Sequence, residues 1–400
     1  MTLDKDIKEG NFFAEDARGD SNTPKRKRRR RWPARVGDKR GNNDHQAKPQ
    51  EPAKKSSQNL PTGKYPPKDK NAAYAALDLG TNNCRLLVAK PTRFGFRVVD
   101  AFSRIVRLGE GVAQTGQLSD EAMDRTIEAL KICADKLEHN KVTFSRNVAT
   151  AACRDAANAD HFMERIKAES GVTLDIISAA EEAKLAVMGC QSLIAKSNKH
   201  ALVFDIGGGS TELIWVRVIR PGLTEIQGWT SIPWGVVNLT ETYNPDGGDI
   251  SEDVYYEMMD QVIEHLVAFE VAHNITETIK RRRVQFLGTS GTVTTLASVH
   301  LKLPYYIRSK VDGAWMQTDD IKALSRKVAL MSSAEREAEP CIGAERADLV
   351  VAGCAILDAM LGTWSIRSLR VADRGIREGI LRGLMKTDKE PRTARGITMV

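Results

Sequence analysis

Two glycine turns in this sequence each follow an aspartate at the end of an apolar stretch. The motif DIGGGSTE spans residues 205–212, and the motif DLGTN spans residues 78–82. Glycines in such turns let backbone N–H groups point at an oxyanion without interference from a Cβ atom, and Ser and Thr hydroxyls add donors. The pattern predicts two phosphate-binding loops, formed by Asp78, Gly80, Thr81 and Asn82 and by Gly207, Gly208, Gly209 and Ser210.

The acids that flank the second turn cannot contact a phosphate without repulsion. Asp205 and Glu212 are therefore predicted to act through a divalent cation, and Mg²⁺ suits an all-oxygen site that keeps water ligands. The sequence leaves open another divalent metal and an additional monovalent cation. Neither a Walker A sequence nor a GxGxxG fingerprint is present. Two loops that approach from opposite subdomains are the predicted solution to phosphate binding.

A third glycine loop, FLGTSG, follows a predicted strand and opens a predicted helix. Its Gly288 and Gly291 either line a second phosphate site at the helix N-terminus or serve close packing of strand against helix. Arg154 follows another strand, and arginine suits planar phosphate contacts, although a lone arginine is usually a surface residue.

The acid pair Glu181 and Glu182 opens a helix directly after the predicted strand LDIIS. Acidic residues favour helix N-termini for electrostatic reasons alone. Hydrolysis of a phosphoanhydride also needs a base that orients water, and a carboxylate near the two phosphate loops suits that role. Both interpretations of the pair stay open at this point.

The two aspartate-glycine motifs open two similar series of strands and helices. Both copies place Asp-apolar-Gly at the end of a strand, which predicts a duplicated α/β fold with a ligand cleft between two subdomains. We place a disordered basic tail at residues 1–70, the first subdomain at 71–196, the second at 197–386 and a C-terminal tail at 387–400.

The net charge of +7 on 400 residues is concentrated in the first segment. Residues 1–70 contain 19 Lys and Arg against 10 Asp and Glu, whereas the rest of the chain contains 40 against 42. Such a tail either solubilises the chain or binds nucleic acid, polyphosphate or an anionic membrane by charge alone. We expect no N-terminal targeting signal, because MTLDKDIKEGNF mixes both charges and lacks an apolar segment.

The apolar content predicts a protein without a membrane span. The longest nearly apolar run, residues 349–362, contains Asp358 and is shorter than the ~20 residues that a spanning helix needs. The six cysteines are scattered without a CxxC pair, so we expect reduced thiols in a cytoplasmic protein rather than disulfides or a zinc site.

Six motifs occur in the order found in the exopolyphosphatase and guanosine pentaphosphate phosphatase (Ppx/GppA) family, which this chain resembles from about residue 72 to 384. They are AALDLGTNNCRLLVA, VATAACRDAANADHF, ISAAEEAKLAVMG, LVFDIGGGSTELIWV, FLGTSGTVTTLA and LRVADRGIREGILRG. The resemblance implies an actin-like fold of two ribonuclease-H-like subdomains. It also implies Mg²⁺-dependent release of terminal phosphate from polyphosphate or from guanosine pentaphosphate. Members of the family commonly form dimers, and the sequence is silent on the oligomeric state.

The resemblance also implies roles for particular residues. Glu182 matches the carboxylate that activates water, Asp205 and Glu212 match the acids that hold metal and phosphates, and Arg154 matches a phosphate-contacting arginine. The two glycine loops match the family's two phosphate loops.

The chain departs from the family pattern at several positions. Ala179 replaces a common glycine, and Thr81 and Asn83 replace serines of the first loop, without loss of a group that the chemistry needs. The chain ends at Val400, so we expect it to lack the additional helical region of larger members and to grip long polyphosphate less strongly.

Two other classes of function stay open. The same fold serves nucleotide-binding chaperones and actin-like assembly modules without this hydrolytic activity, although such a module has no reason to keep the acid pair. The basic tail alone is compatible with a nucleic-acid-binding protein.

Overall fold

The computed structural model describes residues 71–93, 95–281 and 283–387, which belong to one compact unit. The predicted basic tail and all but the first residue of the predicted C-terminal tail lie outside the described residues.

The first half of the fold is built on a sheet of five strands in the order β3-β2-β1-β4-β5. The first three strands form an antiparallel meander, whereas β4 runs parallel to β1 and β5 parallel to β4. Six of the seven residues of β1 are buried, which is typical of a central strand covered on both faces. The strands are β1 (Ala73–Leu79), β2 (Asn83–Thr92), β3 (Gly95–Ile105), β4 (Val142–Ala149) and β5 (Asp175–Ile176).

Helices follow the meander and alternate with the parallel strands. They are α1 (Val112–Thr115), α2 (Asp120–His139), α3 (Ala151–Asp155), α4 (Ala159–Ser170) and α5 (Ala179–Cys190), with a 3₁₀ turn at Gln191–Leu193. Helix α5 begins at Ser178, whose hydroxyl accepts a hydrogen bond from the N–H of Glu181 over 3.2 Å. This cap places Glu181 and Glu182 in the first turn of the helix.

The second half repeats this arrangement in a sheet of six strands ordered β10-β11-β9-β6-β7-β8. Strands β6, β7 and β8 form the antiparallel meander, β9 runs parallel to β6, and β11 runs parallel to β9. Strand order and directions therefore match the first sheet, with β10 added at one edge. The strands are β6 (His200–Ile206), β7 (Thr211–Arg220), β8 (Leu223–Ile232), β9 (Val284–Thr289), β10 (Trp315–Gln317) and β11 (Ser368–Val371).

Helices follow β8 and alternate with the remaining strands of the second half. They are α6 (Val236–Tyr243), α7 (Glu252–His273), α8 (Ile275–Lys280), α9 (Ser290–His300), α10 (Arg308–Val311), α11 (Thr318–Ala329), α12 (Ser333–Ala338), α13 (Val350–Thr363) and α14 (Ile376–Thr387). The apolar run noted in the sequence forms α13, which is packed in the core of this half. Across the described ranges, we find no helix with the length and apolar character that a membrane crossing requires.

The last helix returns to the first half of the chain. Ile380 and Leu381 of α14 share a buried cluster with Tyr74 of β1 and Leu185 of α5. The two-sheet duplication predicted from the repeated Asp-apolar-Gly motif is confirmed by the strand order. The boundaries at 71–196 and 197–386 stay a prediction, and α14 shows that the end of the second segment packs against the first.

Candidate active site

A cavity of about 370 Å³ is lined by residues from both sheets. Twelve of the fourteen predicted site residues contribute to its lining, so positions from distant parts of the sequence meet around one space. They are Asp78, Gly80, Thr81, Asn82, Glu182, Asp205, Gly207, Gly208, Gly209, Ser210, Glu212 and Gly291.

The two glycine loops have the same hydrogen-bonded turn at corresponding positions. The N–H of Gly80 donates to the carbonyl oxygen of Asn83 over 2.9 Å, and the N–H of Gly207 donates to that of Ser210 over the same distance. The loops also touch each other, because a Cβ atom built on Gly208 lies only 2.8 Å from Cβ of Thr81. Glycine at this position therefore allows the two loops to approach across the cleft.

The residues paired with the two aspartates carry opposite charges. Asp78 of β1 lies opposite Arg85 of β2, and Asp205 of β6 lies opposite Glu212 of β7. The two pairs correspond, because in each the second residue follows the first at the same spacing along the chain. Arg85 in the first half therefore occupies the position that corresponds to Glu212 in the second half.

Four carboxylates face this cavity from sites with little solvent, and they repel one another. Burial, together with the charge of Glu212, raises the pKa of Glu182 to about 8. Burial and the charge of Glu182 raise the pKa of Asp205 to about 7, and burial and the charge of Asp205 raise the pKa of Glu212 to about 7. Burial also raises the pKa of Asp78. A bound cation would relieve this repulsion.

Two serines hold the carboxylate of Glu212. The hydroxyls of Ser210 and Ser231 both donate to Oε1 of Glu212, over 2.7 and 2.9 Å. Ser231 lies opposite Glu212 in the pairing of β7 with β8. Sequence reasoning missed Ser231, because only the strand register brings it beside the acid.

The structure places Arg154 and Gly288 away from the cavity lining formed by the described residues. Arg154 lies behind Glu182 and donates from Nη1 to its Oε2 over 2.6 Å and to the carbonyl oxygen of Ile177 over 3.1 Å. Gly288 is buried within β9, where an added Cβ atom would lie 2.7 Å from the ring of Phe204. Close packing therefore accounts for Gly288, whereas its neighbour Gly291 does line the cavity.

Five arginines that sequence reasoning did not assign also line the cavity: Arg85, Arg308, Arg346, Arg374 and Arg377. Two of these are paired with acids, since Arg308 contacts Asp373 over 3.0 Å and Arg374 contacts Asp312 over 2.6 Å. The charges of Arg377 and Arg85 oppose the rise in the pKa of Asp78 that burial causes. Arg374 and Arg377 lie together in the motif LRVADRGIREGILRG, whereas Arg85, Arg308 and Arg346 come from three other segments of the chain.

The donor set fits a hard cation that keeps most of its own ligands. Within the described ranges, no three His, Cys, Asp or Glu side chains are arranged to hold a metal ion by themselves. Mg²⁺ is usually bound by one or two carboxylates together with waters and phosphate oxygens. Oδ1 of Asp78 is buried and has no hydrogen-bond partner among the described residues. Mutually repelling carboxylates with an unpartnered buried oxygen therefore suit Mg²⁺ bound together with a phosphate.

Two ribonuclease-H-like sheets, each with a matching glycine loop at a shared cavity, define an actin-like fold. The family model described as the Ppx/GppA phosphatase family matches residues 87–388. The chain belongs to the Ppx/GppA phosphatase family and is a hydrolase acting on phosphoanhydrides.

Solved structures agree with this assignment. A Ppx/GppA family member from Aquifex aeolicus is 28% identical, with a TM-score of 0.65 over 80% of this chain and 99% of that one. An exopolyphosphatase-like protein is 29% identical, with a TM-score of 0.72 over 78% and 99% of the two chains. An exopolyphosphatase from Cytophaga hutchinsonii is 27% identical, with a TM-score of 0.71 over 79% and 99%.

Proposed function

We propose that this protein removes the terminal phosphate from inorganic polyphosphate by attack of water on the phosphoanhydride. The observation that carries the proposal is the position of Glu182, a buried carboxylate in the same cavity as two matching glycine loops. Two of the similar solved structures are named as an exopolyphosphatase and an exopolyphosphatase-like protein, which supports this choice of substrate.

The two glycine loops bind the phosphate, and Glu182 takes part in proton transfer. Backbone N–H groups and hydroxyls of the loops at residues 80–82 and 207–210 hold the oxygens of the terminal phosphate. Glu182 accepts the proton of the attacking water at Oε1, since Arg154 occupies Oε2. Because the reacting group is anionic, most of the catalytic effect comes from positioning and charge stabilisation.

We propose Mg²⁺ as the cofactor, held by Asp205 and Glu212. Bound there, Mg²⁺ would neutralise charge on the phosphate oxygens. Ser210 and Ser231 fix Oε1 of Glu212 by hydrogen bonds and leave Oε2 for other contacts.

Guanosine pentaphosphate is the second candidate substrate, because it also ends in a phosphoanhydride and five arginines line the cavity. A non-catalytic nucleotide-binding module is less well supported, since such a module does not need a buried carboxylate at position 182.

Phosphate release from tripolyphosphate, long polyphosphate and guanosine pentaphosphate, with and without Mg²⁺, tests this function. We expect Mg²⁺-dependent release from polyphosphate. Failure of the wild-type protein to release phosphate from any of the three substrates would overturn the proposal.

Three further properties are proposals that rest on the sequence. A cytoplasmic location is supported by six free thiols, all of them buried. A homodimer is proposed from family membership and is tested by light scattering of the purified chain. Charge-driven binding of nucleic acid or polyphosphate by the basic tail is tested by removing residues 1–70 and comparing affinity against salt concentration.

A further inference from the structure

Among the described residues that line the cavity, one is aromatic. Tyr306 lines the cavity and is 42% exposed. Its neighbour Tyr305 is 65% exposed and lies outside the lining that the described residues form. The two adjacent tyrosines therefore differ in one respect that matters for ligand binding, which is access to the cavity.

The hydroxyl of Tyr306 lies beside a charged pair. It interacts with the carboxylate of Asp373, which also contacts Nε of Arg308 over 3.0 Å. Burial and the charge of Asp373 raise the pKa of Tyr306, so the hydroxyl stays protonated at neutral pH. With the hydroxyl beside Asp373, the ring is the part of the side chain that could contact a planar ligand.

Inorganic polyphosphate has no planar group that could use an aromatic surface. The base of a nucleotide does, because stacking on an aromatic side chain is favourable for every base. The cavity volume of about 370 Å³ lies within the range of pockets that enclose whole organic ligands.

We propose that Tyr306 is a stacking platform for the base of a nucleoside polyphosphate and determines how well the site takes such a substrate relative to inorganic polyphosphate. This inference rests on the proposed phosphohydrolase function. It assigns the exposed aromatic surface to recognition of the leaving group, while the glycine loops hold the phosphate that is released.

The test compares guanosine pentaphosphate with inorganic tripolyphosphate, which share a reacting triphosphate end. We expect Tyr306→Leu to lower the ratio of kcat/KM for guanosine pentaphosphate to that for tripolyphosphate about tenfold, mainly through KM, equivalent to ~1.4 kcal/mol. Tyr306→Phe keeps the ring and should keep the ratio. Tyr305→Leu is the matched control and should leave the ratio unchanged.

Two outcomes would overturn the inference: an unchanged ratio in Tyr306→Leu, or an equal fall in Tyr306→Leu and Tyr306→Phe, which would assign the effect to the hydroxyl beside Asp373. If Tyr306→Leu does not fold, Tyr306→Trp supplies a second readout. Guanosine pentaphosphate should quench the added tryptophan fluorescence, relative to wild type, and tripolyphosphate should not; equal responses would contradict stacking. Failure of wild type to release phosphate from these two substrates and from long polyphosphate would instead refute the proposed function, whereas the quenching still reports on base binding.

Discussion

Arg154 donates from Nη1 to Oε2 of Glu182 over 2.6 Å, and the two side chains are only 18% and 10% exposed. The same nitrogen is anchored on the carbonyl oxygen of Ile177. One oxygen of the proposed base is therefore fixed, and the other is left for water. This contact supports a positioning role of Arg154 toward Glu182, whereas the family resemblance implies a phosphate contact; the pH dependence of Arg154 variants distinguishes the two.

Replacing Arg154 should change the pH dependence of the reaction. The charge of Arg154 and its hydrogen bond lower the pKa of Glu182 against the effect of burial. In Arg154→Ala the pKa of Glu182 should rise further, so the midpoint of the pH–rate profile moves to higher pH. At pH values below the midpoint, activity falls about tenfold for each unit of that rise. Arg154→Lys keeps the positive charge and should therefore show a smaller shift of the midpoint than Arg154→Ala. A variant that changed only KM, with an unmoved pH profile, would indicate a phosphate contact instead.

Glu182→Gln should remove most phosphate release while the protein stays folded. Loss of a general base lowers the rate by about 10²- to 10⁴-fold. The matched control is Glu181→Gln, because Glu181 is the adjacent acid, is 39% exposed and pairs with Arg146 over 2.6 Å. Turnover and thermal melting of the two variants are compared with wild type. Near-normal turnover in Glu182→Gln would show that another group activates the water.

Stability without divalent metal should fall as pH rises. The pKa of Glu182 is raised from 4.5 to about 8, and that of Asp205 from 3.8 to about 7. Groups with raised pKa values stabilise the fold in their protonated form. Their contribution is complete below the ordinary values and is lost as pH rises through about 7 to 8. Protein treated with a chelator should therefore melt at a lower temperature near pH 8.5 than near pH 6.

Added Mg²⁺ should reverse this loss, and it should raise the melting temperature more near pH 8.5 than near pH 6. Glu182→Gln is the control, since removal of one repelling charge should reduce the decline in the chelated protein. A melting temperature of the chelated wild type that does not change over this range would argue against a cluster of repelling carboxylates.

Gly235→Ala should disturb the glycine loop at residues 207–210. A Cβ atom at Gly235 would lie 2.3 Å from the carbonyl oxygen of Gly208, so the backbone must shift, at a loss of about 1–3 kcal/mol. Gly362→Ala is the control, because Gly362 is exposed in α13 with nothing within 4 Å of its added Cβ atom. That control should gain about 0.5–1 kcal/mol. Denaturant melts and phosphate release measure both, and equal stability of the two variants would contradict the close contact.

The parts of the site that sequence could predict are those encoded locally. A glycine turn after a buried strand is visible within a short stretch of sequence, so both loops and the acid at position 205 were predictable. Ser231 was not, because its contact with Glu212 depends on the register of β7 with β8. Gly288 illustrates the opposite case, in which one local pattern allowed two interpretations and only the ring of Phe204 distinguishes them.

Long-range packing explains the other omissions. The duplication predicted two sheets, but nothing local in the last segment indicates that α14 packs against β1 and α5. The same helix contributes Arg377 to the cavity, next to Arg374 in the preceding turn. Arg346 reaches the cavity from another loop, where it donates to Oγ1 of Thr295 over 3.0 Å. Such residues acquire a role only through tertiary structure.

The exchange of Arg85 for the carboxylate found at Glu212 breaks the twofold symmetry that the duplication would otherwise give the cleft. The two ends of inorganic polyphosphate are identical, so this asymmetry belongs to the cleft and not to the substrate. We expect whichever end enters to be held with a cation beside Asp205 and Glu212, while the rest of the chain extends toward Arg85. The protein should then shorten its substrate stepwise from either terminus and leave internal linkages intact.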